Sequence, residues 1–263
     1  MTEVETRSCV FCGGQPVTRE HVFPQWMRAY LNGFGRPTHA VKADREHRSW
    51  PTCTIDFKAR KVCAACNGGW MCELESAAKP VLVPLIESTA PMRLTDEDAV
   101  LLARWVTKTA LTASLIHPED RAIIPSKYFA EIHRTLGPLR DSVIWIAPYA
   151  VREYPVSSSS LSLQDINGFR VTGNVGCLAY QLTTGEGMAD GGVVLPPDEL
   201  AHCLTQIWPL LAHDQGRPMD QHLIRAWPGA TFRGRAPGGM TDEQLRSFSE
   251  VSDESWDNAP QPK

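Results

Sequence analysis

The residues with the clearest capacity for chemistry are four cysteines arranged in two pairs. Cys9 and Cys12 form the first pair and Cys63 and Cys66 the second, each with two residues between its cysteines. Two such pairs supply the four soft ligands that structural zinc takes on a tetrahedron. Because clustered cysteines in a reducing compartment indicate metal rather than disulfides, we predict a four-cysteine zinc site. Cys53 and Cys72 are interpreted as packing residues, with Cys72 as a less favoured substitute ligand.

Residues suited to acid–base and metal chemistry lie next to these pairs. Glu20 and His21 precede Pro24 between the pairs, and Asn67 directly follows the second pair. The patterns E-H-x-x-P-x-W and C-x-x-C-N-x-G-W-M resemble the HNH (ββα-metal) endonucleases, in particular a zinc-knuckle subgroup of that family, and the resemblance covers residues 8 to about 78.

The resemblance implies a nuclease site on a treble-clef-like zinc module. His21 would be the general base, because a neutral imidazole near its ordinary pKa can take a proton from water at pH 7. Glu20 and Asn67 would hold one catalytic Mg²⁺ or Mn²⁺ through oxygen atoms, and the zinc would be structural. The middle Asn of the family has no counterpart here, and either Asp56 or a backbone group would take its supporting role.

Two acidic residues shortly after Asn67 offer an alternative. Glu73 and Glu75 are either extra metal ligands or members of a solvated helix face, and the solvated face is favoured.

The charge distribution indicates where nucleic acid would bind. The whole chain has a net charge of −4, but residues 1–72 hold ten Lys/Arg against six Asp/Glu and are therefore basic. Cations in a polar hairpin would neutralise phosphates without reading sequence, so we expect DNA as the partner and RNA as the second choice. The candidate phosphate contacts are Lys42, Arg45, Arg48, Lys58, Arg60 and Lys61.

The patterning of the chain predicts an α+β protein with two units. An HNH-like zinc module over residues 1–80 would precede an α+β domain of unknown role over 81–230 and a flexible acidic tail over 231–263. The first unit is expected to contain a helix at 25–31, a polar hairpin at 38–62 with its main strand at 52–57, and a helix from 70 that ends at Pro80. The second is expected to contain helices at 95–116 and 125–136 and antiparallel strands at 143–147, 168–172, 175–182 and 192–195, with 204–208 a strand or the end of a helix.

Several other classes are excluded or disfavoured. The sequence has no uninterrupted apolar run of eighteen residues and no apolar leader, so we expect a cytoplasmic protein without a membrane partner. It also lacks a phosphate-binding loop, a G-x-S-x-G motif and a Rossmann fingerprint. The second unit could form a homodimer. The alternative to a nuclease is a non-catalytic zinc-stabilised module that binds nucleic acid or protein, such as a phage or host-defence regulator.

Overall fold

The computed structural model describes residues 8–31, 38–43, 46–51, 57–116, 124–150, 156–186, 188, 200, 203–210, 225–227 and 239–249, with 38–43, 46–51 and 225–227 described through their backbone. The fold is α+β, as predicted, with helices and antiparallel sheets. Its strands are β1 (Val17–His21), β2 (Thr38–Ala43), β3 (Glu46–Pro51), β4 (Lys58–Cys63), β5 (Met92–Leu94), β6 (Ser142–Pro148), β7 (Val156–Leu163), β8 (Gly168–Val175), β9 (Leu178–Thr184), β10 (Thr205–Trp208) and β11 (Arg225–Trp227). Its helices are α1 (Arg28–Leu31), α2 (Ala64–Cys66), α3 (Cys72–Glu87), α4 (Asp96–Ser114), α5 (Ser126–Thr135) and α6 (Asp242–Ser249).

The largest sheet has five antiparallel strands in the order β10-β6-β9-β8-β7. Three two-stranded sheets, β1-β4, β2-β3 and β5-β11, accompany it. The hairpin of β2 and β3 lies within the predicted polar hairpin, and β2 packs beside β7 at the edge of the large sheet. The strand expected at 52–57 falls largely outside the described residues, and the strand that follows it is β4.

The buried helix α4 packs against the large sheet and positions much of the core. Thr95 caps it: its hydroxyl accepts from the amide of Asp98 at 3.1 Å, while the Asp98 carboxylate accepts from the Thr95 amide at 2.9 Å. This reciprocal pair satisfies donors that the helix itself leaves open. Trp105 of α4 meets Tyr180 of β9 edge to face, with ring centroids 6.0 Å apart.

The predicted boundary at residue 80 falls inside α3. The helix was expected to end at Pro80, but it continues through Pro80 and Pro84 to Glu87. Each proline removes one backbone donor. Burial of Leu82 and Leu85 on the same helix compensates for those losses through tertiary packing. One core cluster then joins residues on both sides of this point.

The large sheet contains two differences from the predicted strands. The strand expected at 175–182 is divided by a turn at Gly176, whose φ of 54° suits glycine, so β8 and β9 form a hairpin there. Strand β7 was missed because its run of serines shows no apolar alternation. The segment 204–208 is a strand, β10, whereas the strand expected at 192–195 lies outside the described residues.

The prediction of a flexible tail from residue 231 is wrong for residues 239–249. Met240 pairs with the backbone beside Tyr149, and α6 buries Leu245 and Phe248. The Tyr149 hydroxyl donates to the Asp242 carboxylate at the start of this helix. An amphipathic face therefore holds the segment against the sheet. Within the described part of the chain, no helix combines the length and apolarity that a membrane span requires.

Candidate metal centre

The four cysteines of the two pairs converge on one point. Their Sγ atoms all lie within 4.8 Å of one another. The Sγ atoms of Cys9 and Cys66 are 3.9 Å apart, and those of Cys12 and Cys63 are 3.5 Å apart. Zinc bonded to four sulfurs at about 2.3 Å requires sulfur–sulfur separations of roughly 3.8 Å. The cluster could therefore hold a metal ion of the size and softness of zinc.

Backbone hydrogen bonds shape the first pair into a tight turn. The amide of Gly13 donates to the Cys9 carbonyl at 2.8 Å, and the amide of Cys9 donates to the Gly14 carbonyl at 2.9 Å. Gly13 has a φ of 74°, a conformation that favours glycine. The Gly14 amide also points at Cys12 Sγ, 3.3 Å away, as backbone donors commonly do towards a metal-bound thiolate.

The second pair lies where a strand gives way to a helical turn. Cys63 is the last residue of β4, and its sulfur accepts from the Cys66 amide at 3.4 Å. Strand β4 pairs with β1, so that Val17 lies opposite Cys63 and His21 lies opposite Lys58. The first pair joins the same sheet, because the Val10 amide donates to the Lys61 carbonyl at 3.0 Å. The two cysteine pairs, Glu20 and His21 thus all lie on or next to the small β1–β4 sheet.

The thiols of the cluster do not ionise independently. Burial raises the pKa of Cys66 most strongly, although the indole N–H of Trp70 lowers it. Burial also raises the pKa of Cys63, but the Cys66 amide and the neighbouring thiols outweigh burial and bring it to about 7. The Gly14 amide lowers the pKa of Cys12, while burial and the Cys63 thiol raise it, with a net upward shift. Four thiolates this close repel one another, so a full set requires a cation among them.

Aromatic side chains cover the cluster. Phe11, inside the first pair, meets Trp70 edge to face at 5.6 Å and Phe129 of α5 at 5.4 Å. Trp70 packs against the core, and the ring of Trp26 packs against that of Tyr30 with centroids 6.0 Å apart. Because Phe129 lies well beyond residue 80, the cover of the cysteine cluster comes from both predicted units. Cys72 is exposed and is not part of the cluster.

The far end of β1 carries Glu20 and His21. The ring of His21 is partly exposed, and its Nε2 lies 3.3 Å from the side-chain nitrogen of Gln25. Glu20 is only 3% exposed, so its carboxylate faces the protein interior and not solvent.

A buried lysine from α4 reaches this end of β1. Lys108 Nζ lies 3.0 Å from Glu20 Oε1 and 2.5 Å from Glu75 Oε1, and it donates to the His21 carbonyl at 3.5 Å. Burial lowers the pKa of Lys108, but the two carboxylates outweigh burial and hold it above its ordinary value. Burial raises the pKa of Glu20 and outweighs Lys108, which lowers it, while the nearby Glu75 carboxylate raises it further. The ammonium is therefore the firmly charged member of this group.

The predicted Mg²⁺ ligands do not form one open site in this arrangement. Asn67 donates through Nδ2 to Thr18 Oγ1 at 3.3 Å, which leaves its side-chain oxygen for other contacts. Glu20 already contacts an ammonium and is screened from solvent. Because Mg²⁺ keeps several of its waters, a carboxylate in this setting does not fit as its ligand.

The described basic residues that are expected to contact phosphate occupy strand β4 and the hairpin of β2 and β3. Lys58, Arg60 and Lys61 lie on β4, where Arg60 is exposed and the two lysines are partly exposed. Lys42 and Arg48 lie on β2 and β3. Three residues of interest, namely Arg45, Cys53 and Asp56, fall outside the described residues.

The sequence patterns did not predict that Lys108 pairs with both Glu20 and Glu75. The preference for a solvated face holds for Glu73, which is exposed, but it is wrong for Glu75, which pairs with Lys108. A signal was available, because Lys108 is the only charged residue between Arg104 and Ile116 and lies one turn from the buried Trp105. A lone cation on an apolar helix face needs buried acidic partners.

Searches against protein-family models, curated proteins and solved structures found no match for this chain. The function must therefore be inferred from the geometry of the residues alone.

Proposed function

We propose that this chain is an HNH-type nuclease that hydrolyses phosphodiester bonds in DNA, with RNA as the second substrate class. The observation that supports it is the cysteine cluster, which ties the turn bearing Asn67 to the small sheet whose other end bears His21. Such an arrangement would suit a treble-clef-like module in which a structural ion lies near a histidine and a polar side chain. Such a thiol cluster belongs in a reducing compartment, as expected for the cytoplasm.

Zinc is the metal that we assign to the cluster. Four sulfurs at near-tetrahedral separations, three of them from buried cysteines, match its preferred ligands and coordination. With all four positions taken by protein, no site is left for a reacting water, so the ion would be structural. It would stabilise a module whose own core is small.

His21 is the group that we assign as general base. Its ring is partly exposed, and Gln25 contacts it within hydrogen-bond range, which would orient the imidazole. A ring nitrogen would take a proton from water as the water oxygen attacks phosphorus, and the bond from phosphorus to the 3′ oxygen would break. The leaving oxygen would gain a proton from solvent, giving a 3′ hydroxyl and a 5′ phosphate.

Lys58 would support this reaction from the neighbouring strand. It lies directly opposite His21 in the β1–β4 pair, so the two side chains share one face of the sheet. A cation there would neutralise the phosphate that faces the base. Arg60 and Lys61 would extend this contact along β4. Lys42 and Arg48 would extend it along the hairpin of β2 and β3, together with Arg45, which lies outside the described residues. Residues 81–230 would provide the remaining contacts or a homodimer interface.

Plasmid nicking tests the proposal. Full-length zinc-loaded protein would be incubated with supercoiled DNA in Mg²⁺, Mn²⁺ or chelator, beside His21→Ala and the matched control His133→Ala, whose histidine lies on α5 outside the site. We expect nicking by wild type and His133→Ala and at least a hundredfold loss in His21→Ala, within the range that general-base catalysis provides. Equal nicking by wild type and His21→Ala would refute the assignment of the base.

A non-catalytic zinc-stabilised module that binds nucleic acid or protein is the second candidate. The pairing of Glu20 with Lys108 favours it, because the acidic residue of the motif is then unavailable to a catalytic ion. Tight DNA binding without nicking under any metal condition would support this candidate over the nuclease.

A further inference from the structure

We propose that the ammonium of Lys108 is the resident cation of a three-oxygen site formed by Glu20, Glu75 and the His21 carbonyl, and that it excludes a divalent ion from Glu20. This inference concerns what the site binds, and it holds whether or not His21 performs catalysis. It assigns to a lysine of α4 the place beside Glu20 that the HNH resemblance gives to Mg²⁺ or Mn²⁺.

The number and direction of the contacts support an ammonium in this position. A lysine side chain has three N–H donors and no acceptor. Lys108 Nζ meets three oxygens, at 3.0 Å on Glu20, 2.5 Å on Glu75 and 3.5 Å on the His21 carbonyl. Its donors are thus matched by three acceptors from two separate segments of the chain.

Those three oxygens are also the kind that a hard divalent ion prefers. Two carboxylates and a backbone carbonyl are typical ligands of Mg²⁺, Mn²⁺ and Ca²⁺. Because the Glu20 and Glu75 oxygens contact the same nitrogen, they lie at most 5.5 Å apart, the sum of its distances to them. Removing the ammonium would leave two acidic groups close enough to share one ion.

Burial decides between the two cations in the wild-type protein. The side chain of Lys108 is 0% exposed and that of Glu20 is 5% exposed, so the site has little access to water. The ammonium is covalently attached to α4 and has lost its water on folding, whereas Mg²⁺ gives up its hydration shell reluctantly. A tethered cation therefore holds the position against a dissolved one.

Titration with Mn²⁺ tests this proposal on the full-length zinc-loaded protein. Mn²⁺ is a hard ion that the soft cysteine cluster disfavours, and its free concentration is measured by electron paramagnetic resonance. Lys108→Ala removes the ammonium and leaves space, Lys108→Met removes the charge but fills the space, and Glu20→Gln removes a carboxylate and keeps Lys108.

We expect wild type and Glu20→Gln to bind Mn²⁺ identically, since Glu20 is closed to it. We expect Lys108→Ala to gain one Mn²⁺ site at least tenfold tighter than any in wild type, and to lose that site again in combination with Glu20→Gln. Lys108→Met should gain no such site.

Two results would overturn the proposal. One is a wild-type Mn²⁺ site that disappears in Glu20→Gln, since the ammonium would then not exclude the ion. The other is a folded Lys108→Ala protein without a new site. If Lys108→Ala does not fold even with Mn²⁺ present, the comparison of wild type with Glu20→Gln decides alone, because both retain Lys108.

Discussion

Replacement of Cys63 by serine should remove the metal ion and unfold the N-terminal module. Cys63 ends β4, lies opposite Val17 of β1, and accepts from the amide of Cys66. Its loss therefore removes a ligand and also the anchor between strand and turn. Structural zinc contributes on the order of 10–16 kcal/mol at pH 7, whereas whole domains have unfolding free energies of about 5–15 kcal/mol. The unfolding free energy of the module would therefore be too small to offset the loss of zinc binding.

The control for this change is Cys72→Ser. Cys72 is exposed, lies six residues after Cys66, and is outside the cluster, so the same chemical change there should leave the ion in place. Metal content by elemental analysis should be about one zinc per chain for wild type and Cys72→Ser and well below half for Cys63→Ser. Circular dichroism and thermal unfolding with and without chelator should show the same ranking.

Retention of a full equivalent of zinc by Cys63→Ser would refute the four-cysteine assignment. So would loss of zinc from Cys72→Ser. Free reactivity of Cys9, Cys12, Cys63 and Cys66 towards a thiol reagent in freshly purified wild type would lead to the same conclusion, because bound thiolates are protected.

Two further predictions concern stability away from the metal centre. Gly173→Ala should lower the unfolding free energy in urea by about 1–3 kcal/mol, because its new Cβ would lie 2.5 Å from the Tyr180 hydroxyl and 2.9 Å from the Ser157 carbonyl oxygen. Gly68→Ala, whose Cβ would meet nothing within 4 Å, should be neutral or stabilising, and equal losses in the two variants would contradict the packing argument. Burial raises the pKa of Cys203 from 9.0 to about 11. Its contribution to stability is present below pH 9 and is lost as the pH rises through about 11, a total of about 3 kcal/mol for two pKa units. The unfolding free energy of Cys203→Ala should therefore fall less than that of Cys72→Ala over this window, and parallel curves would refute the shift.

The cysteine cluster was predictable from sequence because its information is local. A C-x-x-C pair fixes two ligands within one turn, and the glycine at position 13 supplies the positive φ that this turn requires. Only the meeting of the two pairs depends on the fold, and the ligand chemistry itself favours that meeting. The cap at Thr95 was predictable for the same reason, since a capping box lies within four residues.

The environment of Glu20 was not predictable, because it depends on a contact between distant segments. Lys108 follows Glu20 by 88 positions, and a motif match reports the type of residue at Glu20 but not its burial. Helix α6 was missed for a different reason. Its acidic, proline-bordered sequence is typical of disorder, and the apolar pair Leu245 and Phe248 is decisive only once the sheet offers a surface.

With zinc assigned to the cysteine cluster, strand β1 would be held at its two ends by two different cations, and this arrangement would position His21. At one end, Val17 lies beside Cys63 of the cysteine cluster, where we assign zinc. At the other end, Lys108 binds Glu20 and the His21 carbonyl. Since α4 also packs on the large sheet, the second unit sets the position of the candidate base through Lys108. We therefore expect a fragment that ends at residue 80 to be less stable than the full chain, because it would leave Glu20 without the charge of Lys108.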